Sequence, residues 1–549
     1  MGFLEFIEVK SDAITGGATR WKNKDIVPLP PSRRTWGHLT FTAFWAINNI
    51  CLSSWLGATS LLPLGLSVGN AMGVIVIGNA IITACVIANG WIGAKYHIGY
   101  TISQRLLFGI YGSYLGIAIR IVLSVVWFGS QAWLGGLCVN VIISSWSYHY
   151  LTLNNTFPAS VNMTSQQLIG FVIFQVISIP VACIRPEKIN IPAITANIIS
   201  FFAMLGLTIW AGTENGGAGS LLHTPDTVTG TQFAWAWVYG LSSWFGSLVV
   251  GIANMSDFTR FSTHKQVFWP GTIVAIMVPG VIIPLFGVIT ASATAELYDV
   301  TNVSDIFWNP LTLISYWLTT DYTAKSRAAA FFLGLSFLIS QLCQNTLGNA
   351  FAGGMDMAGA LPKYIDIRRG AIITCLLSWV VQPWLFYNTA STFLLVMSSF
   401  SVFLTPLIAV MTCDFLVVRK RKVLLSELFH DNPNGTYYFT GGFNFRAIIV
   451  WAATFTIGLP GMISYINRNI PTKQGLTNFY LGSLFFEFPM AFIMYYLVCL
   501  VLPPKGIGQQ DTIDYFGTFT PKVCAEMGIT PLEETQNTQS FSSDSEPKF

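Results

Sequence analysis

Charge is scarce in this 549-residue sequence: Asp, Glu, Lys and Arg make up 10% of it, against about a quarter in a soluble domain. Its 28 basic and 25 acidic side chains cannot cover the surface of so large a chain, so most of that surface must face lipid, which excludes a large soluble enzyme. There is no C-x-x-C pair and no His/Cys cluster, so neither a metal site nor a disulfide framework is expected. Eight of the nine cysteines (Cys51, Cys85, Cys138, Cys183, Cys343, Cys375, Cys413 and Cys499) lie in apolar runs and read as small core residues, and only Cys524 falls in a tail. No G-x-x-x-x-G-K-[ST] loop is present to bind ATP, and the apolar runs hold no H-E-x-x-H or G-x-S-x-G. The expectation is therefore a non-enzyme without cofactor, driven by an ion gradient or by its substrate's own gradient. The basic residues form no continuous stripe, which argues against a nucleic-acid partner, and the first thirty residues contain no uninterrupted apolar core of a cleaved signal peptide.

Hydrophobic residues reach 53% and aromatics 14%, with 18 Trp, 41 Phe and 48 Gly, a composition that suits interfacial belts and close helix contacts. Runs of about 20 apolar residues occur near 40–66, 70–93, 112–143, 167–184, 191–212, 232–256, 270–293, 328–352, 370–388, 391–417, 447–466 and 478–503. The pattern predicts twelve membrane spans in a domain covering 37–503, between a cytosolic N-terminal tail (1–36) and a cytosolic C-terminal tail (504–549). With the N-terminus inside, 23 Lys and Arg fall in inner segments and four in outer loops, a strong positive-inside bias. The sequons at Asn154, Asn162 and Asn302 fall in outer loops, and the acidic, Ser-rich stretch from Glu533 to Phe549 reads as disordered.

Spans one and six share a near-match, Ser53-Ser54-Trp55-Leu56-Gly57 and Ser242-Ser243-Trp244-Phe245-Gly246. Each lies at the start of a five-helix half, where inverted-repeat transporters carry broken helices; a small-residue packing face is the other reading. Polar amides are costly in lipid unless satisfied, so intramembrane Gln and Asn mark either interhelical glue or a ligand site. Trp127 and Gln131 in span three, and Asn345 and Asn349 in span eight, are four residues apart and share a helix face. A flat ring beside amides fits a planar heterocycle with N–H and C=O edges. Asn48 and Asn49 precede the span-one break and are candidates to cap it or to line a path. Asp257 and Arg260 at the inner end of span six suit a helix-end ion pair or an inner gate. Arg120, early in span three, can snorkel to the cytosol and is expected to be structural rather than substrate-binding, and Glu487 is an intramembrane acid in span twelve, outside a ten-helix core.

Several stretches resemble the nucleobase:cation symporter-1 family. They are Gln104-Arg105-Leu106-Leu107-Phe108-Gly109-Ile110-Tyr111-Gly112-Ser113, the Trp127/Gln131 pair with Gly135-Gly136, Ser256-Asp257-Phe258-Thr259-Arg260-Phe261, and Gly354-Met355-Asp356-Met357-Ala358-Gly359 through Arg368-Arg369-Gly370. The likeness runs from about Trp36 to Pro503. It implies an all-α integral membrane protein of twelve helices, with a five-plus-five inverted-repeat core of LeuT-like type, two extra helices and alternating access at the plasma membrane. Ala234-Trp235-Ala236-Trp237-Val238-Tyr239, Trp244-Phe245-Gly246-Ser247 and Trp146-Ser147-Tyr148-His149-Tyr150 look most like thiamine and nicotinamide riboside permeases of the fungal uracil, allantoin and thiamine branch. By position the resemblance places the stacking ring on Trp127, the amides on Gln131 and Asn349 with Asn345 as accessory, and the span-six wall on Ser247 and Leu248.

Leu248 stands where the family often has Trp or Lys, which argues against a simple uracil site, whereas Trp127 with Gln131 is a nucleobase-type pair. Sodium-coupled relatives place hydroxyls at positions occupied here by Cys343 and Gln344. Cys is a poor ligand for a hard cation, so a proton gradient is the expected driving force. Backbone groups around Ser53 and Ser54, with Ser340, are the remaining candidate cation site. The expected partners are a small heteroaromatic substrate and the lipid bilayer.

Overall fold

The computed structural model describes residues 8–9, 17–300, 306–387 and 389–532. The sequon at Asn302 and the acidic stretch 533–549 lie outside the described residues. Among the described residues the fold is all-helical, with isolated β-bridges and no strand. Ten helices are long and apolar enough to cross a bilayer. They match ten of the twelve expected runs. The other two, 40–66 and 370–388, are discontinuous.

The first run becomes α1 (His38–Asn49), α2 (Leu52–Trp55) and α3 (Gly57–Leu61), with extended backbone at Cys51 between α1 and α2. There follow α4 (Val68–Tyr96), the short α5 (Tyr100–Phe108), the 34-residue α6 (Ser113–Trp146), α7 (Ser165–Ala182) and α8 (Asn190–Asn215). Next come α9 (Gly230–Ala253), α10 (Met255–Thr259), α11 (Phe268–Met277) and α12 (Pro279–Leu297). Then α13 (Ala324–Asn345) passes through a π-helical turn, Thr346–Ala350, into α14 (Phe351–Ala360). The 370–388 run starts as α15 (Ile367–Leu377) and dissolves into 3₁₀ turns. The remaining helices are α16 (Ala390–Ser399), α17 (Ser401–Thr412), α18 (Phe445–Ile466), α19 (Gln474–Leu481), α20 (Ser483–Val501) and α21 (Pro521–Met527).

The near-matching pentapeptides behave differently. In the first run the chain breaks at Cys51, just before Ser53. In α9 the helix runs unbroken through 242–246 and is interrupted only at Asn254. Small residues here serve packing: the Trp244 ring lies between Gly57 and Gly78, where a methyl group would come within 2.5 and 2.6 Å of it. The two pentapeptides thus meet in space. Gly135 and Gly136 do the same for α6 and α7, since a Cβ at Gly136 would lie 2.7 Å from the Phe171 backbone.

Arg120 does not snorkel. It is fully buried and its Nη2 lies 3.2 Å from Asp356 Oδ2, joining α6 to α14. Nη1 donates to the Val250 carbonyl of α9 (3.2 Å), Ser124 Oγ donates to Asp356 (3.4 Å), and the guanidinium lies 5.4 Å from the Tyr100 ring. A buried ion lacking its partner is far costlier than the intact pair is favourable, so this group constrains three helices at once.

The expected tails are packed segments wherever the structure describes them. Asn23, Ile26, Val27, Leu29 and Trp36 are buried. Asn23 Nδ2 donates to the Pro362 and Ile365 carbonyls, and Trp36 N to that of Phe261. Arg34 bonds both Leu29 O and Thr518 O, so the two terminal segments meet on one face of the bundle. Cys524, on α21, is buried in the same layer.

His97 ends α4 in a left-handed conformation (φ 55°), and its Nδ1 donates to the Arg260 carbonyl at 3.0 Å. Burial, then the Arg34 guanidinium, push its pKa down to about 3.

Two outcomes are expected. Arg120→Met or Asp356→Asn alone should each cost about 3–5 kcal/mol, seen as loss of the monodisperse peak in size-exclusion chromatography, and the apolar double variant Arg120→Met/Asp356→Leu should recover part of it. Unfolded His97 binds a proton below about pH 6.5 whereas the folded side chain does not until about pH 3. Its contribution to stability is therefore complete above pH 6.5 and declines by up to about 1.4 kcal/mol per pH unit below it. The melting temperature should fall on acidification, less steeply in His97→Asn, whose side chain tolerates a positive φ.

Candidate functional site

A cavity lies where α1, α6, α9 and the π turn converge, with about 840 Å³ of empty space including its mouth. From α6 come Trp127 and Gln131. From α9 come Trp244, Ser247 and Leu248, and from the α13–π segment Gln344, Gly348 and Asn349. The first run supplies Phe44, Trp45, Asn48, Asn49, Ser53 and Ser54. Phe258 and Phe393 complete the apolar wall, and no acidic or basic side chain lines it among the described residues.

The orientation of the two site amides follows from backbone carbonyls. Asn345 Nδ2 donates to the Phe128 carbonyl at 3.1 Å, so its oxygen faces outward and accepts from Asn349 Nδ2 at 2.9 Å. Asn349 is left with a free Oδ1 at the cavity. Gln341 Nε2 donates to both the backbone carbonyl (3.1 Å) and Oε1 (3.0 Å) of Gln131, which leaves Gln131 Nε2 without a protein acceptor among the described residues. The site thus offers a donor from α6 and an acceptor from the π turn. The π turn places Asn349 and Gly348 against the end of α1, where a Cβ on Gly348 would be 3.0 Å from Asn48 Oδ1.

Asn345 does not line the cavity. It is buried one turn behind and orients Asn349. Leu248 does line it, and the aromatic wall expected at that position is supplied elsewhere, by Trp244 and Phe393. Trp244 is held by a bond from its Nε1 to Asn79 Oδ1 (2.9 Å), and Asn79 Nδ2 donates to the Ile276 and Gly280 carbonyls. Sequence reading missed Gln341, Phe44, Trp45, Phe258 and Phe393 as site residues; the amide-rich run 340–349 was the only local signal for any of them.

Of the proposed cation-site residues, Ser340 and Ser53 have protein partners, Ser54 lines the cavity, and Gln344 Oε1 has no partner among the described residues. Ser340 Oγ donates to the Ile50 carbonyl at 3.0 Å and Cys51 Sγ to the Asn48 carbonyl at 3.3 Å, so side chains already engage the carbonyls freed by the break. Ser53 Oγ lies 3.2 Å from Cys51 Sγ. Cys343 is buried away from the cavity, whereas Gln344 lines it. Asn48 and Asn49 donate back to the Phe44 and Trp45 carbonyls, both at 2.8 Å, while lining the cavity.

Asp257 and Arg260 do not pair with each other, and neither lines the cavity. Asp257 Oδ1 accepts from the first N–H of α5 (Tyr100, 2.8 Å), and Arg260 bonds the Asp25 carbonyl. Between them, Phe258 stacks toward the cavity with ring centroids 4.3 Å from Phe44 and 6.0 Å from Trp36. An aromatic plug therefore closes the cavity toward the face bearing the termini, and the charged side chains tie the elements around it.

A multi-helix membrane protein with a cavity formed between helices at their breaks is a transporter architecture. Residues 28–484 match the family model described as permease for cytosine/purines, uracil, thiamine, allantoin, and the chain belongs to that family. It is 42% identical to the thiamine transporter of Saccharomyces cerevisiae, over 93% of this chain and 85% of that one. It is 41% identical to nicotinamide riboside transporter 1 of the same yeast, over 97% and 88%. Among solved structures it resembles Mhp1, a nucleobase-cation-symport-1 family transporter in a closed conformation with bromovinylhydantoin bound. That likeness has a TM-score of 0.67 at 18% identity, over 88% of this chain and 97% of that one, and concerns the fold.

Asn349→Ala and Gln131→Ala are expected to abolish or strongly reduce uptake of labelled substrate without loss of surface protein, because a site built on hydrogen bonds loses factors of up to about 10⁴ when they are unmet. Normal transport by both would reduce the amides to packing. Trp127→Ala should raise apparent KM through loss of about 1–3 kcal/mol of stacking, with Trp127→Phe far milder.

Proposed function

We propose that the chain is a proton-coupled importer of a planar heteroaromatic nutrient, thiamine, nicotinamide riboside or a related vitamin or nucleoside, in the plasma membrane. In this reading the two broken runs complete twelve spans, ten of them a five-plus-five inverted-repeat core, and the face bearing both termini is cytosolic. The observation that carries the substrate assignment is the cavity's chemistry. Aromatic faces and the Gln131 donor facing the cavity with the Asn349 acceptor, with no acidic or basic side chain in the described lining, suit a flat ring that has acceptor and donor atoms on its edge. An aminopyrimidine or a carboxamide has such an edge, and a delocalised ring cation is stabilised over Trp and Phe faces without a carboxylate. The names of the relatives at 41–42% identity point the same way.

A second reading, uracil, uridine or allantoin permease, is favoured by Trp127 with Gln131, the nucleobase-type pair. A sensor that binds the ligand without moving it would leave uptake absent in a null background. Proton coupling is supported by Cys343 and Gln344 standing where the sodium-coupled relatives place hydroxyls, since Cys is a poor ligand for a hard cation.

In cells lacking their own uptake systems, labelled thiamine and nicotinamide riboside should accumulate and compete with each other more strongly than uracil, uridine or allantoin do. Uptake should persist when choline replaces sodium and collapse with a protonophore. Strict sodium dependence with a flat pH profile would overturn the proton reading.

A further inference from the structure

Glu487 lies on α20, remote from the cavity, with its side chain fully buried. Among the described residues neither carboxyl oxygen has a hydrogen-bond partner. Its Oε1 lies against Gly458 of α18, where even a methyl group would overlap it, and Val402 of α17 packs beside the same glycine. An unpaired charge in such a place is expensive, and an ionisable side chain inside the membrane marks a candidate ion or proton pathway.

The residues around it are ordered. Towards the face opposite the termini, Tyr239 of α9, Ser398 of α16 and Tyr480 of α19 form a hydroxyl chain, with Ser398 Oγ 3.1 Å from one phenol and 2.8 Å from the other. The half-buried Tyr465, at the end of α18, lies with its ring 5.3 Å from Tyr239. One turn deeper, Ser401 Oγ donates to the Ser398 carbonyl (2.6 Å) and lies 3.0 Å from Ser483 Oγ. One turn deeper again are Glu487 itself and Thr405, whose buried Oγ1 also lacks a partner. Two turns beyond, Tyr495 donates to Asp414 at 2.7 Å, and Asp414 is bonded to Arg419 at 2.7 Å.

No charged side chain among the described residues of the packed elements reaches Glu487. Asp414 and Arg419 neutralise each other at the terminal end, and Arg446, at the start of α18, bonds the Leu502 carbonyl. Of the other titratable groups, Tyr239, Tyr465 and Tyr480 stand on the far side of the serines, and Tyr495 and Cys499 point to the terminal end of α20.

We infer that Glu487 is the side chain that carries the coupled proton, loaded from the face opposite the termini through the hydroxyl ladder between α17 and α20, on a route separate from the substrate cavity. The inference rests on the proton-coupled reading above. Ser401 Oγ is bonded to the Ser398 carbonyl and neither Glu487 oxygen is bonded among the described residues, so water inserted between Ser398 and Ser401, and between the serines and the carboxyl, completes the path; each hydroxyl or water accepts one proton and gives up its own, and the last transfer forms an O–H bond on a Glu487 carboxyl oxygen. Release breaks that bond, the proton passing to a water molecule that enters from the terminal end, and leaves a carboxylate that the next proton neutralises.

Two measurements test this. In purified protein at neutral pH, infrared spectra of the wild type should show one protonated-carboxyl carbonyl band that is missing in Glu487→Gln; identical spectra would overturn the inference whatever the substrate. In cells, labelled thiamine and labelled nicotinamide riboside are used side by side. Glu487→Gln should keep substrate counterflow within about twofold of wild type while proton-driven accumulation falls at least about tenfold and loses its pH dependence. Ser483→Ala, which keeps the carboxyl and cuts the ladder, should slow proton-driven uptake and spare counterflow. Wild-type-like accumulation in Glu487→Gln, or equal loss of counterflow and accumulation in both variants, would overturn the proton role while the proton-coupled reading stands. A wild type indifferent to pH and protonophore would remove that reading and this inference together.

Discussion

The buried Arg120–Asp356 pair is the contact on which the arrangement of the cavity depends. It joins α6 to α14 and, through the Val250 carbonyl, to α9. Trp127 lies seven residues beyond Arg120 on α6, and Asn349 seven residues before Asp356 across the π turn. Two helical turns, about 10 Å, thus separate the charged pair from the site on both helices. Since an unpaired ion at this depth is costly, neither helix can slide past the other without dissolving the pair, and Trp127 and Asn349 keep their depth relative to each other. Gly135 and Gly136, by admitting α7 to backbone contact, brace the same segment of α6 from the other side.

On this frame the chemistry of the site is set one residue behind the cavity. Asn345 and Gln341 touch no cavity space, yet each binds a carbonyl on α6 that cannot change its polarity, and so dictates which end of Asn349 and of Gln131 is offered to a ligand. A buried polar network satisfied in this way turns amides, which could face either way, into one acceptor and one donor. The same economy appears at the helix break, where Ser340 and Cys51 meet carbonyls that backbone geometry has freed. Closure toward the terminal face falls to Phe44, Phe258 and Trp36, because apolar rings can separate without leaving a charge stranded.

Much of this was legible in the sequence. Apolar runs of bilayer length, their Lys/Arg asymmetry and the shared helix faces of Trp127 with Gln131 and of Asn345 with Asn349 rest on local spacing, whereas the choice of Trp127, Gln131 and Asn349 for one site came from the family resemblance, and those three do line the cavity. Other features were not legible because they join residues far apart in the chain. Arg120 looked free to snorkel because its partner is 236 positions away, as the buried pair with Asp356 shows. Asp257 and Arg260 looked like a pair because they are three apart, whereas Tyr100 and Asp25 hold them. A break was one reading of the second pentapeptide, yet it is helical throughout and its Trp244 ring packs on Gly57 of the first.

By itself the sequence determined that the chain is helical, lives in lipid and carries amides and rings at mid-span, since hydropathy and helical periodicity act over a few turns and need no partner. Only the tertiary structure decided which amide end faces the cavity, which rings close it and which charges neutralise one another. Those outcomes depend on hydrogen bonds and ion pairs between helices, whose distance and direction no local pattern encodes.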